Sequence, residues 1–279
     1  MKKHTTIGLS LATAALAVAS VTAAPAAATG FAGSSAASAD VRAAVRSAEG
    51  VAADWSYSGA TGPEHWGSIA PACAPSSTGS QSPINIEFSR LVESKKVVEP
   101  SIRYKASSFI SENAGFTADA APVGGGNTVT VDGKSFSLKQ FHVHAPSEHE
   151  INGKRAAMEL HFVNASADGS LAVVGVLFEI GAENKHLAEF FTNLPAAPHS
   201  SVALKKQINP AKIIPANADF VRYSGSLTTP PCSEGVLWNV ADKPATLSKA
   251  QLDAFTAVFD DNSRPVQALN NRSVFEAQD

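Results

Sequence analysis

His142 and His144 stand two residues apart in a stretch that reads as a β-strand, and His161 follows in a second such stretch. On a strand, residues i and i+2 point to the same side, so the first two imidazoles can address one ion. A third imidazole from another strand completes a cone of nitrogen donors. Three protein ligands, with a fourth position left to water, is the arrangement of a catalytic zinc. Gln140 precedes His142 by two residues and Glu159 precedes His161 by two, each on its histidine's side. An amide or carboxylate oxygen that accepts the second ring N–H fixes the tautomer and makes the ligand more basic. A His-x-His pair alone is explained by core packing more often than not. Three histidines with two such partners point to a metal. The H-E-x-x-H arrangement of a common zinc-protease class is absent from the sequence.

The elements that must carry these residues are strands. Thr128–Val131 runs into Asp132-Gly133, a strong two-residue hairpin signal, and Ser135–His144 reads as the return strand. Alternation puts Phe136, Leu138, Gln140, His142 and His144 on one face. Asn152-Gly153 is a second turn signal ahead of Ala156–Val163, where Glu159, His161 and Val163 share a face. Leu171–Ile180 is a nearly continuous apolar run and reads as a strand buried on both sides. Helices are few: Asn184–Leu194 is one, and Ser248 with Gln251 forms a capping-box pattern ahead of Leu252, Phe255 and Phe259. The expected fold is mainly β, a single domain with a large central sheet and short peripheral helices.

The start of the chain reads as an address. Lys2 and Lys3 precede an apolar, alanine-rich stretch from Ile7 to Val21, with small residues at the expected cleavage region near Ala23. That is the anatomy of a secretory signal peptide over residues 1–23, and the stretch is too short to anchor in a bilayer. Residues 24–53 are rich in Ala, Ser and Gly and read as a disordered leader; residues 54–279 form the expected domain. Export to periplasm or extracellular medium follows. The formal charge is −3, and −5 once Lys2 and Lys3 are removed, which gives no reason to expect nucleic acid or an anionic membrane as partner. Cys73 and Cys232 are the only cysteines, and in an exported chain such a pair favours a disulfide.

Two families compete for the histidines. In a cupin-like metal protein Glu148 would join His142, His144 and His161 as a ligand, with iron or manganese bound. Phe136 stands where a cupin usually places a glycine, and the later Pro-x-Gly is missing. By contrast, Gln140-Phe141-His142-Val143-His144-Ala145-Pro146-Ser147-Glu148-His149 resembles the zinc segment of bacterial α-class carbonic anhydrases. Glu159-Leu160-His161 resembles their third-ligand strand, and Ser226–Val236 their opposite site wall. Gly62–Trp66, Gln81–Ile86 and Asn262–Gln267 match further segments in the same order, so the resemblance covers the chain from Trp55 onward.

The resemblance implies a roughly ten-stranded, mostly antiparallel twisted sheet and reversible hydration of carbon dioxide to bicarbonate and a proton. It implies Zn2+ on His142, His144 and His161, with Gln140 and Glu159 behind them. Thr228 would be the gatekeeper hydroxyl, Glu148 its acceptor, and Thr229 a contact to bicarbonate. Val163, Val173, Leu227, Val236 and Trp238 would form the apolar wall for carbon dioxide. It also implies a Cys73–Cys232 disulfide and cis bonds at Ser82-Pro83 and Pro230-Pro231. A non-catalytic binding module of the same fold is the alternative, and the oligomeric state stays open, a homodimer included. One position departs from the family: the proton-shuttle histidine falls in Glu112-Asn113-Ala114-Gly115-Phe116, which has none. Proton release is therefore expected to limit turnover.

Overall fold

The computed structural model describes residues 55–278. The expected signal peptide and leader lie outside the described residues, as do Asp54 and Asp279 at the ends of the expected domain. In chain order the strands are β1 (Asn85–Ile86), β2 (Val92–Val98), β3 (Ser101–Arg103), β4 (Phe109–Asn113), β5 (Ala118–Pro122) and β6 (Thr128–Val131). They continue with β7 (Lys134–His144), β8 (Glu150–Ile151), β9 (Lys154–Arg155), β10 (Met158–Ala165) and β11 (Leu171–Ile180). The last are β12 (Ser201–Ala203), β13 (Phe220–Ser226), β14 (Glu234–Ala241), β15 (Ala245–Leu247) and β16 (Phe275–Gln278). The α-helices among the described residues are α1 (Trp66–Ile69), α2 (Ala188–Thr192) and α3 (Lys249–Thr256).

One large mixed sheet carries the molecule, in the order β12-β4-β5-β7-β10-β11-β14-β13-β16-β2, with β6 and β15 added beside β7 and β11, and β3 beside β6. Most neighbours are antiparallel, but β11 runs parallel to β14 and β15, and β16 parallel to β2. The hairpin between β6 and β7 turns where expected: Asp132 and Gly133 have φ of 50° and 76°, the left-handed pair that such a turn demands.

The expected single face of β7 is broken. Asn164 pairs with Leu138 and Val163 with Gln140, so Lys139 is an extra residue on β7. This β-bulge resets the alternation. Phe136 and Leu138 therefore enter the main core together with Phe141 and Val143, while Gln140, His142 and His144 turn to the other face. Counting by twos cannot register an insertion.

The main core is aromatic, with Phe109, Phe162 and Phe190 each packed against Phe141. Each such side chain contributes roughly 1.5–3 kcal/mol by leaving water. On the histidine-bearing face a second cluster gathers Val163, Val173, Val236 and Trp238. The Ser248–Gln251 capping box forms as expected and sends Phe255 and Phe259 into the main core. The helix expected from Asn184 begins only at Ala188. Gln251 is the reason: its side chain binds both the N–H and the C=O of Asn184, each at 2.9 Å, and Asn184 Oδ1 accepts from the N–H of His186. Those bonds compete with a helical start. Cys73 and Cys232 are joined by a disulfide. No helix among the described residues is long and apolar enough to cross a membrane.

Candidate metal centre

β7 and β10 lie side by side and antiparallel, with His142 opposite His161 and His144 opposite Glu159. Side chains directly opposite one another share a face, so the register gathers the three imidazoles. Their ring centroids are 5.0, 5.2 and 4.7 Å apart, and one nitrogen of each falls within 4.8 Å of the others.

Each ring is held by its second nitrogen. His142 Nδ1 is 2.9 Å from Gln140 Oε1, and His161 Nε2 is 2.8 Å from Glu159 Oε1, the two partners expected from the i−2 spacing. His144 Nδ1 is 2.7 Å from the backbone oxygen of Asn262. Since these oxygens accept, each contacting nitrogen carries the proton. The nitrogens that would face a metal are then Nε2 of His142, Nε2 of His144 and Nδ1 of His161. Asn262 also accepts from the N–H of Ala145 at 2.8 Å and donates to the carbonyls of Val143 and Phe116.

Glu159 does more than hold His161. Its second oxygen accepts from the N–H groups of Glu148 and His149 at 3.0 and 2.8 Å, and its first also meets His149 Nδ1 at 2.7 Å. His149 Nε2 lies 2.6 Å from the Tyr223 hydroxyl, which is 2.9 Å from Ser82 Oγ. His149, Glu159 and His161 are spaced to hold a metal themselves. Their mutual hydrogen bonds make them a clamp on His161 instead.

Burial decides the charges. His144 is fully buried, and desolvation lowers its pKa to about 4; desolvation likewise lowers that of His161 against the pull of Glu159. Both rings are thus neutral at pH 7, as metal ligands must be. Burial would raise Glu159, but His149 and His161 outweigh it and hold the carboxyl well below the usual range. Glu148 is pushed up to about 7 by desolvation, against His161, the Arg264 N–H and the Thr228 hydroxyl, which favour its charged form. Glu148 Oε1 accepts from that N–H at 2.9 Å. Glu148 Oε2 lies 3.5 Å from His144 Nε2, and neither atom has a hydrogen-bond partner. Two orphaned buried polar atoms beside three converging imidazoles fit a bound cation.

Of the remaining expected residues, Thr228 hydrogen-bonds Glu148. Thr228 is buried and Thr229 half-buried. Trp238 sets its ring edge-on to His161 at 4.8 Å and donates to the carbonyl of Ser226 at 3.0 Å. Val163, Val173, Val236 and Trp238 share one apolar cluster, and Leu227 packs against it. Two glycines make room. A Cβ on Gly175 would come within 3.2 Å of Glu159 Oε1. One on Gly225 would overlap Ser82 Oγ and stand 2.7 Å from the Tyr223 ring. The Thr228 loop closes through the Cys232 N–H to the Thr229 carbonyl at 2.8 Å, and Gln81 donates to the Cys232 carbonyl at 3.0 Å. Ser82-Pro83 and Pro230-Pro231 are cis as expected, and so is Ala145-Pro146.

Three features had no reading in the sequence. Asn262 acts on His144 through a backbone carbonyl, which every residue has. Asp119 on β5 pairs directly with His142 and is only 8% exposed. Its strand is not marked by alternation, and all five of its residues are buried. Phe116 packs on Trp55 and Tyr57, with ring centroids at 4.6 and 6.3 Å.

The chain matches the eukaryotic-type carbonic anhydrase family over residues 61–278. It is 42% identical over 229 residues to a carbonic anhydrase of Klebsiella pneumoniae, covering 81% of this chain and 92% of that one. Among solved structures it resembles the α-carbonic anhydrase of Thermovibrio ammonificans in complex with the inhibitor sulfanilamide. The TM-score there is 0.76 at 44% identity, over 80% of this chain and 99% of that one. It also resembles dioscorin complexed with ascorbate, with a TM-score of 0.74 at 30% identity, over 81% of this chain and 99% of that one. By its sequence, its sheet and its gathered histidines, this chain belongs to the eukaryotic-type, or α-class, carbonic anhydrase family.

Proposed function

We propose that this protein is an exported enzyme that converts carbon dioxide and water reversibly to bicarbonate and a proton, with Zn2+ held by His142, His144 and His161. The carrying observation is the convergence of one nitrogen from each ring while the other is tied to Gln140, Asn262 or Glu159. A zinc ion in such a site would supply Lewis acidity and lower the pKa of a water to about 7, the value established for carbonic anhydrases. Everything else falls to the chain. The neutral imidazoles carry their lone pairs inward because their protons are committed outward. A cation between them would draw Glu148 back to its charged form, since opposite charge nearby favours the carboxylate. Glu148 can then only accept, so the Thr228 hydroxyl donates its hydrogen bond to it and turns its own lone pairs to the reacting water. Thr229 stands beside the product position. Val163, Val173, Leu227, Val236 and Trp238 offer carbon dioxide an apolar surface that gives water nothing to bind.

The disulfide supports an oxidising compartment and so the exported state. The domain boundaries at 1–23, 24–53 and 54–279 belong to the same reading. Zinc stoichiometry combined with stopped-flow hydration tests the function. One zinc per chain with rapid hydration, inhibited by a sulfonamide, is expected. Stoichiometric zinc without hydration would instead leave a binding module of the same fold.

A further inference from the structure

Between α3 and β16 the chain forms neither helix nor strand, yet it aims two backbone groups at the site. The Asn262 carbonyl meets His144 Nδ1 at 2.7 Å, and the Arg264 N–H donates to Glu148 Oε1 at 2.9 Å. No sheet ladder fixes these groups, so side chains must. Asn262 is held by its own bonds to the backbone of Ala145, Val143 and Phe116. Arg264 is anchored elsewhere. The residue is 1% exposed, and its Nη1 donates to Gln81 Oε1 at 2.9 Å and to the Ser82 carbonyl at 2.7 Å. Its Nη2 donates to the Cys73 carbonyl at 3.3 Å, and the Trp66 ring lies 5.8 Å from the guanidinium carbon. Burial lowers its pKa to about 10, which leaves it cationic at neutral pH. A planar fork meeting three acceptors from two segments has little freedom to turn.

We infer that Arg264 is a positioning residue: its guanidinium, clamped by Gln81, Ser82 and Cys73, fixes the N–H that orients Glu148 for Thr228. This rests on the proposed hydration reaction, in which Glu148 serves the Thr228 hydroxyl. Side chain and N–H belong to one residue, so whatever holds the first aims the second. Cys73 is also a partner in the disulfide, so a covalently tied segment forms part of the clamp.

The test compares the zinc-loaded parent with Arg264→Met, Arg264→Lys and Arg272→Met. Arg272 is the matched control: it too pins carbonyls, those of Leu269, Ser224 and Ala268. In Arg264→Met, kcat for hydration should fall about tenfold, the lower range for losing an outer partner of a metal site. KM for carbon dioxide and zinc affinity in chelator competition should stay parental, because the three imidazoles keep their own partners. Lysine keeps the charge and loses the fork, so Arg264→Lys should fall between, about threefold below the parent. If Arg264→Met does not fold, the lysine variant decides alone. In the metal-free protein, the amide of residue 264 should exchange with solvent faster in both Arg264 variants and at the parental rate in Arg272→Met. Parental kcat in the folded Arg264 variants overturns the inference, however unstable they are. An equal loss of kcat in Arg272→Met also overturns it, because general loosening would then suffice. A parent that binds no zinc or does not hydrate carbon dioxide fails the proposed function instead, and amide exchange still reads the clamp.

Discussion

At His144 the ring is wholly buried, one nitrogen is fixed by Asn262 and the other faces Glu148 Oε2. Replacing it with alanine removes a proposed zinc ligand without emptying the main core. Zinc affinity should fall by at least about a hundredfold, the upper range for losing a mere supporting partner. Far-UV circular dichroism should stay that of the parent, and hydration at the parental rate would refute the assignment. The same residue carries a pH signature in the metal-free protein. Its folded pKa of about 4 lies below the ordinary 6.5, so protonation favours the unfolded chain. Stability is lost as pH falls from about 6.5 to about 4. Glu148 has the opposite sign: raised from 4.5 to about 7, it gives stability at low pH that disappears as pH rises through that window. The two slopes oppose one another where the windows overlap. Metal-free Glu148→Gln should therefore show a steeper acid loss between pH 6.5 and 4 than the parent, measured by urea unfolding at each pH. Gln140 and Glu159 were legible in the sequence because a side chain two residues away on a strand must lie on the same side. Asn262 was not, since the atom it uses has no side-chain identity.

Strands set which residues meet, and here a single insertion decides it. The hairpin at Asp132-Gly133, the strand over 171–180 and the capping box at Ser248 could be read directly, because each rests on local rules. The bulge at Lys139 could not, because it exists only in the pairing of β7 with β10. Deleting Lys139 should remove the bulge yet keep Leu138 and Gln140 on opposite faces, because the two become neighbours in a strictly alternating strand. One zinc per chain is therefore expected to survive the deletion; loss of zinc would show that the bulge also shapes the site. The loop bearing Thr228 depends on a covalent tie in the same way. Cys232 is bonded to Cys73, whose carbonyl accepts from Arg264, and the N–H of Arg264 holds Glu148. Cys73→Ser with Cys232→Ser should cost up to about 5 kcal/mol by the chain-entropy argument, less where the unfolded chain keeps structure. It should also lower hydration activity at temperatures where the protein stays folded.

For the whole molecule, turnover depends on moving a proton out to solvent. Phe116 occupies the turn where the family resemblance places a histidine, and it is wedged against Trp55 and Tyr57. Hydration should rise with the concentration of small imidazole buffers, whose pKa near 6.5 suits the transfer. A flat response would assign the relay to another group of the protein. The overall sheet was legible because strand signals are local, whereas the order of its strands was not, because chain order and spatial order part company at one end. β16 sits between β13 and β2, pairing with both. β2, early in the chain, therefore reaches the sheet only through a strand that is made last among the sixteen. Until β16 arrives, β2 has no place to dock, and that margin of the sheet must stay open. In a chain made from its N-terminus, assembly of this edge waits on β16. Changing Ala277, buried in the main core on β16, to Asp should loosen residues 92–98 together with 275–278 in hydrogen exchange, and leave β7 and β10 as protected as before.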